Sequence, residues 1–550
     1  MIAKNDASCS ATQSDKLAAS MLNKKEQATQ PPSALCKIHC CVLSIVSTLL
    51  LFLLLFAAAR LSIVSGSGNE QLFVRIGDQP SVPVLVDLLQ SLPLSPYLLG
   101  VNTFPAVGTS SVDQAYSGFM NYDLPITAGL KDAHIKLLRF PGGSWGEDHY
   151  LSFDQLNAFS TLLSQIGADG MIQTRLSSTI DGKFTNLTDI TARANLAGRW
   201  VDYMNNPHSA RRIGKYAHAS FHSIKFWTVG NEPDLLINPD TKKPFTVAEY
   251  IKAFIQYSLA MHQSDPTIQV FGPEISQFNG PGAGPTDARG QLWMESFLKG
   301  ISAYEHAHPR LKFHLLDGIS FHRYPLTDKY QDVSPLINSS DEWNFLLPLH
   351  DLVKRILGRD VPIAVTEINT NPTKKVLSPG LGALWWAKTL GTLMYQRVDY
   401  VAFFSAEGVD TPYPLFTTDG PRPTPMFRVM QLFSHLQHNL IPLHIQQKSI
   451  SVYATQDDRH QTVSLLFINE SQTTQHAQVS TGKALFTISS WQSLDISLVG
   501  YSIVLLTLHR GGGVEAYSYS ASPSDYPNTA PLIYTVCGQR GEAPANNIPC

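Results

Sequence analysis

Residues 223–235 read SIKFWTVGNEPDL. A mostly apolar, aromatic-rich run stops at Gly230, and the chain then delivers Asn231, Glu232 and Pro233. A short run of this kind bounded by glycine predicts a strand buried on both faces. A carboxylate at the tip of such a strand is either a satisfied ion pair or half of a catalytic pair. The choice turns on whether a second carboxylate stands at a matching place.

The same pattern recurs along the chain. LLGVNTF (98–104), HIKLLRF (134–140), GMIQTRL (170–176), IQVFGPE (268–274), DGISFHR (317–323), VPIAVTE (361–367) and VDYVAFF (398–404) join the opening run to make eight. Between them lie stretches with apolar spacing near 3.6, including 152–166, 191–205, 246–263 and 383–396. Apolar strands alternating with amphipathic helices predict an α/β protein, and eight units predict a closed (β/α)8 TIM barrel over 95–440. An open doubly wound sheet is the rival, but no glycine-rich dinucleotide fingerprint follows the first strand. In a barrel the site forms at the C-terminal ends of the strands. Glu232 ends strand four and Glu367, in VTEINTN, ends strand seven, across the mouth. Two carboxylates flanking one bond are what glycosidic cleavage requires.

Outside the barrel the texture changes. Residues 441–510 contain KSISVYATQDD, HQTVSLLFINES and SLVGYSIVLLTLH, whose alternation predicts a C-terminal β-sandwich. Residues 60–94 predict a linker and a strand or two that join it, and 511–550 a Gly/Ser/Pro-rich C-terminal extension. At the other end, residues 40–59 run twenty residues without a charge, long enough for a transmembrane signal anchor or a signal-peptide core. The lysine-bearing residues 1–39 then form a cytoplasmic tail, and the barrel lies outside the cell, membrane-anchored or secreted.

Composition narrows the partners. A formal net charge of -3 without a basic block argues against nucleic acid. Four of six cysteines precede residue 42, and Cys537 and Cys550 can close a small loop in an oxidising compartment. HASFH (218–222) lacks the glutamate of a zinc-protease helix, so His218 and His222 read as packed or solvated, and neither metal nor cofactor is predicted. The expected partners are an oligo- or polysaccharide substrate and, through 40–59, a membrane.

Asn-Glu-Pro after strand four and a glutamate after strand seven resemble the clan A glycoside hydrolases, (β/α)8 retaining enzymes. LRFPGG (138–143), WVDYMNNP (200–207) and SFHRYP (320–325) extend the resemblance over roughly 95–440. GNEPDLL is most similar to the heparanase and β-glucuronidase family, while RFPGG and WVDYMN also resemble α-L-arabinofuranosidases. The resemblance implies Glu232 as general acid/base and Glu367 as nucleophile. It further implies that Asn231 binds the sugar hydroxyl beside the anomeric centre, that Tyr324 orients the nucleophile, and that His322 lines the same rim. Arg139, ending strand two, is placed to hold Glu367 or Asn231. For a uronide substrate, Arg323, Lys183 or backbone N–H groups are the candidate donors to the uronate carboxylate. Trp227, Trp385 and Trp386 fall within predicted elements and read as core, which leaves Trp145, in a predicted loop, as the sugar platform. Glu147, Asp148 and Glu274 also follow strands and read as substrate-binding or solvated. The alternative from another class is a cell-surface carbohydrate-binding protein that has lost catalysis.

Overall fold

The computed structural model of the chain describes residues 72–77, 83–106, 120–180, 183–184, 187, 189–326, 333–370, 379–407, 414–417, 422–447, 449–481, 493–509, 514–520 and 532–536. The expected membrane segment 40–59, the tail before it, and Cys537 and Cys550 lie outside the described residues. Among the described residues no helix is long and apolar enough to cross a membrane.

All eight predicted strands form, and they close in one parallel barrel. In chain order, strands one to eight are Gly100–Asn102, Leu137–Phe140, Asp169–Thr174, Phe226–Val229, Gln269–Ile275, Gly318–Arg323, Ile363–Ile368 and Tyr400–Phe403. The interior changes character along the axis. Near its N-terminal end Leu137, Met171, Phe226, Phe271, Ala364 and Tyr400 pack together. Tyr97 closes that end, stacked on Tyr400 with ring centroids 5.0 Å apart. Toward the C-terminal end the buried side chains are polar or charged: Asn102, Arg139, Gln173, Thr228, Glu274, His322 and Glu367. The apolar plug holds the barrel together while the site sits at the opposite end, the division of labour expected of this fold.

The helices outside follow from capping and pattern. Phe153–Ile166 and Val247–Ser264 both open with capping boxes, from Ser152 with Gln155 and from Thr246 with Glu249. Pro379–Tyr395 departs from the amphipathic expectation, since Gly380 through Met394 are buried on every side. The second domain explains this: the helix is wedged between the barrel and the sandwich, so it has no solvent face to be polar.

That domain is a two-sheet sandwich. Its larger sheet has seven strands, Leu92–Pro93, Asn439–Gln447, Ile450–Gln456, Thr462–Asn469, Ser502–His509, Val514–Ser520 and Leu532–Val536. The smaller pairs Leu72–Ile76 with Val84–Val86 and Gln475–Thr481, and the last of these with Ser493–Leu498. Side chains alternate along each strand. In Thr462–Asn469, Val463, Leu465 and Phe467 face the smaller sheet, whereas Leu466 and Ile468 join the barrel's apolar cluster. Both faces are covered, so the strand is apolar almost throughout. Of 60–94, Leu72–Ile76 and Val84–Val86 lie in the smaller sheet and Leu92–Pro93 in the larger, while the chain is still in the larger sheet after residue 511. Val514–Ser520 pairs antiparallel with Ser502–Leu508, and Leu532–Val536 pairs with it in turn. The alternation in VEAYSYS (514–520) was obscured by the glycines and prolines around it.

Candidate active site

The site is built on Arg139. Leu137–Phe140 is buried throughout, so its guanidinium stands inside the barrel with no exposed surface. Its Nη1 donates to Asn102 Oδ1 at 2.7 Å and to Glu367 Oε1 at 2.9 Å. Nη2 donates to Asn231 Oδ1 at 2.9 Å and to Glu274 Oε2 at 2.7 Å. One planar fork therefore ties strands one, two, five and seven to the turn after strand four.

Glu367 is held from its other side as well. Tyr324 donates its hydroxyl to Oε2 at 2.7 Å, and only 4% of the Glu367 side chain is exposed. Burial, and then the charges of Glu367 and Glu232, keep the Tyr324 hydroxyl far above its ordinary pKa, so it remains a donor. Burial likewise pushes Glu367 upward, Glu232 adds to this, and His322, Arg139 and the tyrosine bond oppose it.

Glu232 sits differently. Its side chain is 20% exposed, toward the barrel mouth, and its Oε1 meets His322 Nδ1 at 3.0 Å. The backbone there is in the left-handed region, at φ 78° for Gly230 and 46° for Glu232. The Glu232 N–H donates to the Glu274 carbonyl at 2.9 Å, which anchors that turn to strand five.

His322 is fully buried between carboxylates, with Nε2 3.4 Å from Glu274 Oε2 and Nδ1 3.5 Å from Glu367 Oε2. Burial lowers its pKa, but Glu367 and then Glu232 and Glu274 more than reverse this and bring it up to about 10. It is an imidazolium at neutral pH. Glu274 is the fixed counter-charge: against burial, Arg139 and then His322 hold it down to about 2, and Thr366 donates to its other oxygen at 2.8 Å. The cluster thus has three carboxyls, Glu232, Glu274 and Glu367, against two cations. It reaches neutrality when one carboxyl retains a proton.

One carboxylate oxygen each from Glu232 and Glu367 and a ring nitrogen of His322 all lie within 4.8 Å of one another. Three such atoms are within reach of a common metal ion, and binding one there would require His322 to give up a ring proton. A carboxylate pair this close leaves no room for a water between it and the anomeric carbon, which is the arrangement of retaining glycosidases.

The structure brings Glu232, Glu367, Asn231, His322, Tyr324 and Arg139 into one cluster. Trp145 is a correction. It starts the short helix Trp145–Asp148 instead of lying in a loop, is 6% exposed, and stacks on His149 at 4.8 Å, so it is packed and offers no open platform. Glu147 and Glu274 are corrections too, being 1% and 0% exposed with both carboxylates fully engaged within the protein. Asn102 and Thr366 went unread. Asn102 interrupts an apolar strand, and that was the available signal; Thr366 looked like an ordinary strand residue.

A model of glycoside hydrolase family 44 matches residues 157–327, which run from the helix before strand three to the loop after strand six. No curated protein sequence matches the chain. Among solved structures, a family 44 xyloglucanase from Paenibacillus polymyxa superposes with a TM-score of 0.54 at 13% identity, covering 78% of this chain and 99% of that one. A family 51 α-L-arabinofuranosidase from Bifidobacterium longum gives 0.54 at 13%, covering 76% and 98%. A bifunctional glucanase-xylanase from a metagenome library gives 0.52 at 14%, covering 76% and 97%. At these identities the structures establish a shared fold, barrel and sandwich together. The resemblance of GNEPDLL to the heparanase family gains no support from the model that matches. That model, the barrel and the carboxylate pair at its mouth mark the chain as a glycoside hydrolase of the retaining type.

Proposed function

We propose that the protein cleaves a neutral glycan by double displacement, with Glu367 as nucleophile and Glu232 as general acid/base. The observation that carries this is a pair of carboxylates with oxygens within 4.8 Å of each other, one gripped by Arg139 at Oε1 and by Tyr324 at Oε2, the other open toward the mouth beside His322. Glu232 protonates the leaving oxygen while Glu367 attacks the anomeric carbon, and the same Glu232 then deprotonates the water that releases the sugar. His322, already charged, stabilises the Glu232 carboxylate formed in the first step. Asn231 turns its Oδ1 to Arg139, leaving its NH2 group for the sugar hydroxyl beside the reacting carbon.

Neutrality of the substrate is supported by the fate of the expected cation. Arg323 donates to the Phe278 carbonyl at 3.0 Å, to Asn279, and to Glu342 at 3.2 Å, and its guanidinium lies 5.1 Å from the Trp343 ring. It is occupied in holding the loops after strands five and six. The Lys183 side chain lies outside the described residues. The family 44 match favours a xyloglucan or β-glucan chain as substrate. RFPGG and WVDYMN, with the family 51 neighbour, favour an α-L-arabinofuranoside as the second reading. Hydrolysis by the purified full chain of xyloglucan oligosaccharides, β-cellobiosides, β-xylosides, α-L-arabinofuranosides and β-glucuronides separates these. The account predicts a neutral substrate ahead of the glucuronide by at least about tenfold, since Arg323, the expected cation among the described residues, is already spent on Phe278, Asn279 and Glu342 and would leave a uronate unpaired. A preferred glucuronide would overturn the substrate assignment, and no turnover of any glycoside would favour the carbohydrate-binding alternative.

A further inference from the structure

We propose that Glu147 is a positioning residue of this site, whose carboxylate fixes the turn carrying Asn231 and Glu232. The kinetic part of the argument rests on the role given to Glu232 above; the geometric part does not. Glu147 lies on the helix after strand two, with its side chain sealed from solvent. Its Oε1 accepts the Asn231 N–H at 3.1 Å, and its Oε2 accepts the N–H groups of Leu176 at 2.8 Å and Ser177 at 2.7 Å. A single buried carboxylate thus gathers the segments after strands two, three and four. Its backbone is braced in return, since Arg175 Nη2 donates to the Glu147 carbonyl at 2.8 Å and Nη1 to the His149 carbonyl at 3.1 Å.

The consequence falls on the residue next to the acid/base. Asn231 is pinned at two points, by Arg139 through its side chain and by Glu147 through its backbone. Gly230 has no room to relax, because a Cβ there would stand 2.2 Å from Leu176 Cδ1 and 3.5 Å from Glu147 Oε1. Glu232 leaves this turn in a left-handed conformation that the surroundings must impose. Both Glu147 oxygens are spent on backbone donors, so it does not reach substrate. It acts through the turn.

Glu147→Gln tests this in the full chain. The substitution keeps the volume but turns one acceptor oxygen into an NH2 group facing an N–H donor. Hydrogen exchange read by mass spectrometry should speed up about tenfold or more in peptides spanning 174–178 and 229–233, and stay unchanged in the sandwich strand 450–456. Unchanged exchange at 229–233 would overturn the proposal whether or not the enzyme turns over any glycoside. The second readout compares 2,4-dinitrophenyl and 4-methoxyphenyl β-cellobiosides. A good leaving group needs little protonation, so a displaced Glu232 should cost at least about tenfold more kcat on the methoxyphenyl substrate, with KM within about threefold. Equal losses on both would show general structural damage and would count against the proposal. Wild-type enzyme inert on both would refute the proposed glycosidase substrate, leaving the exchange result to decide the role of Glu147. Should Glu147→Gln fail to fold, Glu147→Asp retains the charge one methylene short and should show the same two signatures in smaller measure.

Discussion

Arg139 is where the chemistry of single residues was most legible and also most under-read. A charged residue closing the apolar run HIKLLRF has to be paired, and its place at a strand's C-terminal end put it at the mouth. What one strand could not reveal is that four acceptors on four other segments converge on it. Tyr324 holds Glu367, the proposed nucleophile, from the opposite side. Tyr324→Phe should lower kcat about 10- to 100-fold with little loss of stability, measured by steady-state kinetics alongside thermal unfolding. His322 makes a pH prediction whose sign is fixed. Its pKa rises from 6.5 to about 10 on folding, so the charged form is favoured in the folded state. That stabilisation is complete below pH 6.5 and is lost as pH climbs toward 10. Urea unfolding across pH 6–10 should show the wild type losing stability relative to His322→Gln over that window, and parallel curves would contradict the assignment. Trp145 was misread because a sequence shows that an aromatic lies outside a strand without showing which ring it packs on.

At the scale of elements, all eight strands and three of the four quoted helices were readable from periodicity, while Pro379–Tyr395 forms without the polar face its pattern implied. The bulges were not. The ladder between strands six and seven pairs Phe321 with Val365 and then His322 with Glu367, passing over Thr366. Strict alternation would put Thr366 and Glu367 on opposite faces, yet Thr366 reaches Glu274 and Glu367 reaches Arg139 inside the same barrel. A similar irregularity falls between Pro273 and Ile275, where Glu274 has φ 58°. Bulges of this kind re-aim side chains at functional ends of strands, and they leave no periodic signal. The turn at Gly230 can be tested directly. Gly230→Ala combines a φ of 78° with a contact of 2.2 Å to Leu176 Cδ1. It should cost about 1–3 kcal/mol of stability and a larger share of kcat than of KM, because the turn carries Glu232. A variant of wild-type stability and activity would mean the turn tolerates rearrangement.

Among the described residues the barrel and the sandwich share one buried seam. Lys388, on the wedged helix Pro379–Tyr395, is 1% exposed and pairs with Asp341 at 2.6 Å and with Glu470, from the sandwich, at 2.8 Å. On the same helix Thr392 meets the Tyr453 hydroxyl at 3.0 Å. The sequence showed a lone lysine in an apolar helix, ALWWAKTLG, and a sandwich beyond it, but not that one explains the other. A buried cation removed from two carboxylates leaves them unpaired, at a cost of about 3–5 kcal/mol. Lys388→Met should therefore lower the urea midpoint substantially, with the sandwich loosening from the barrel as seen by limited proteolysis between them. An unchanged midpoint would show that the seam is held by apolar packing alone. The C-terminal boundary was the hardest to read, because the glycines and prolines scattered through 511–550 mask two strands that extend the larger sheet.

The central claim is that Glu367 attacks and Glu232 donates and withdraws the proton across one bond. A proton NMR time course of the first-formed anomer, taken with whichever glycoside the full chain cleaves fastest, reads this directly. Retained configuration is the predicted result, since oxygens within 4.8 Å exclude an intervening water. With Glu232→Ala, added azide should restore turnover with retention, and with Glu367→Ala it should give an inverted azide product. An inverted first product from the unmutated enzyme would contradict the account.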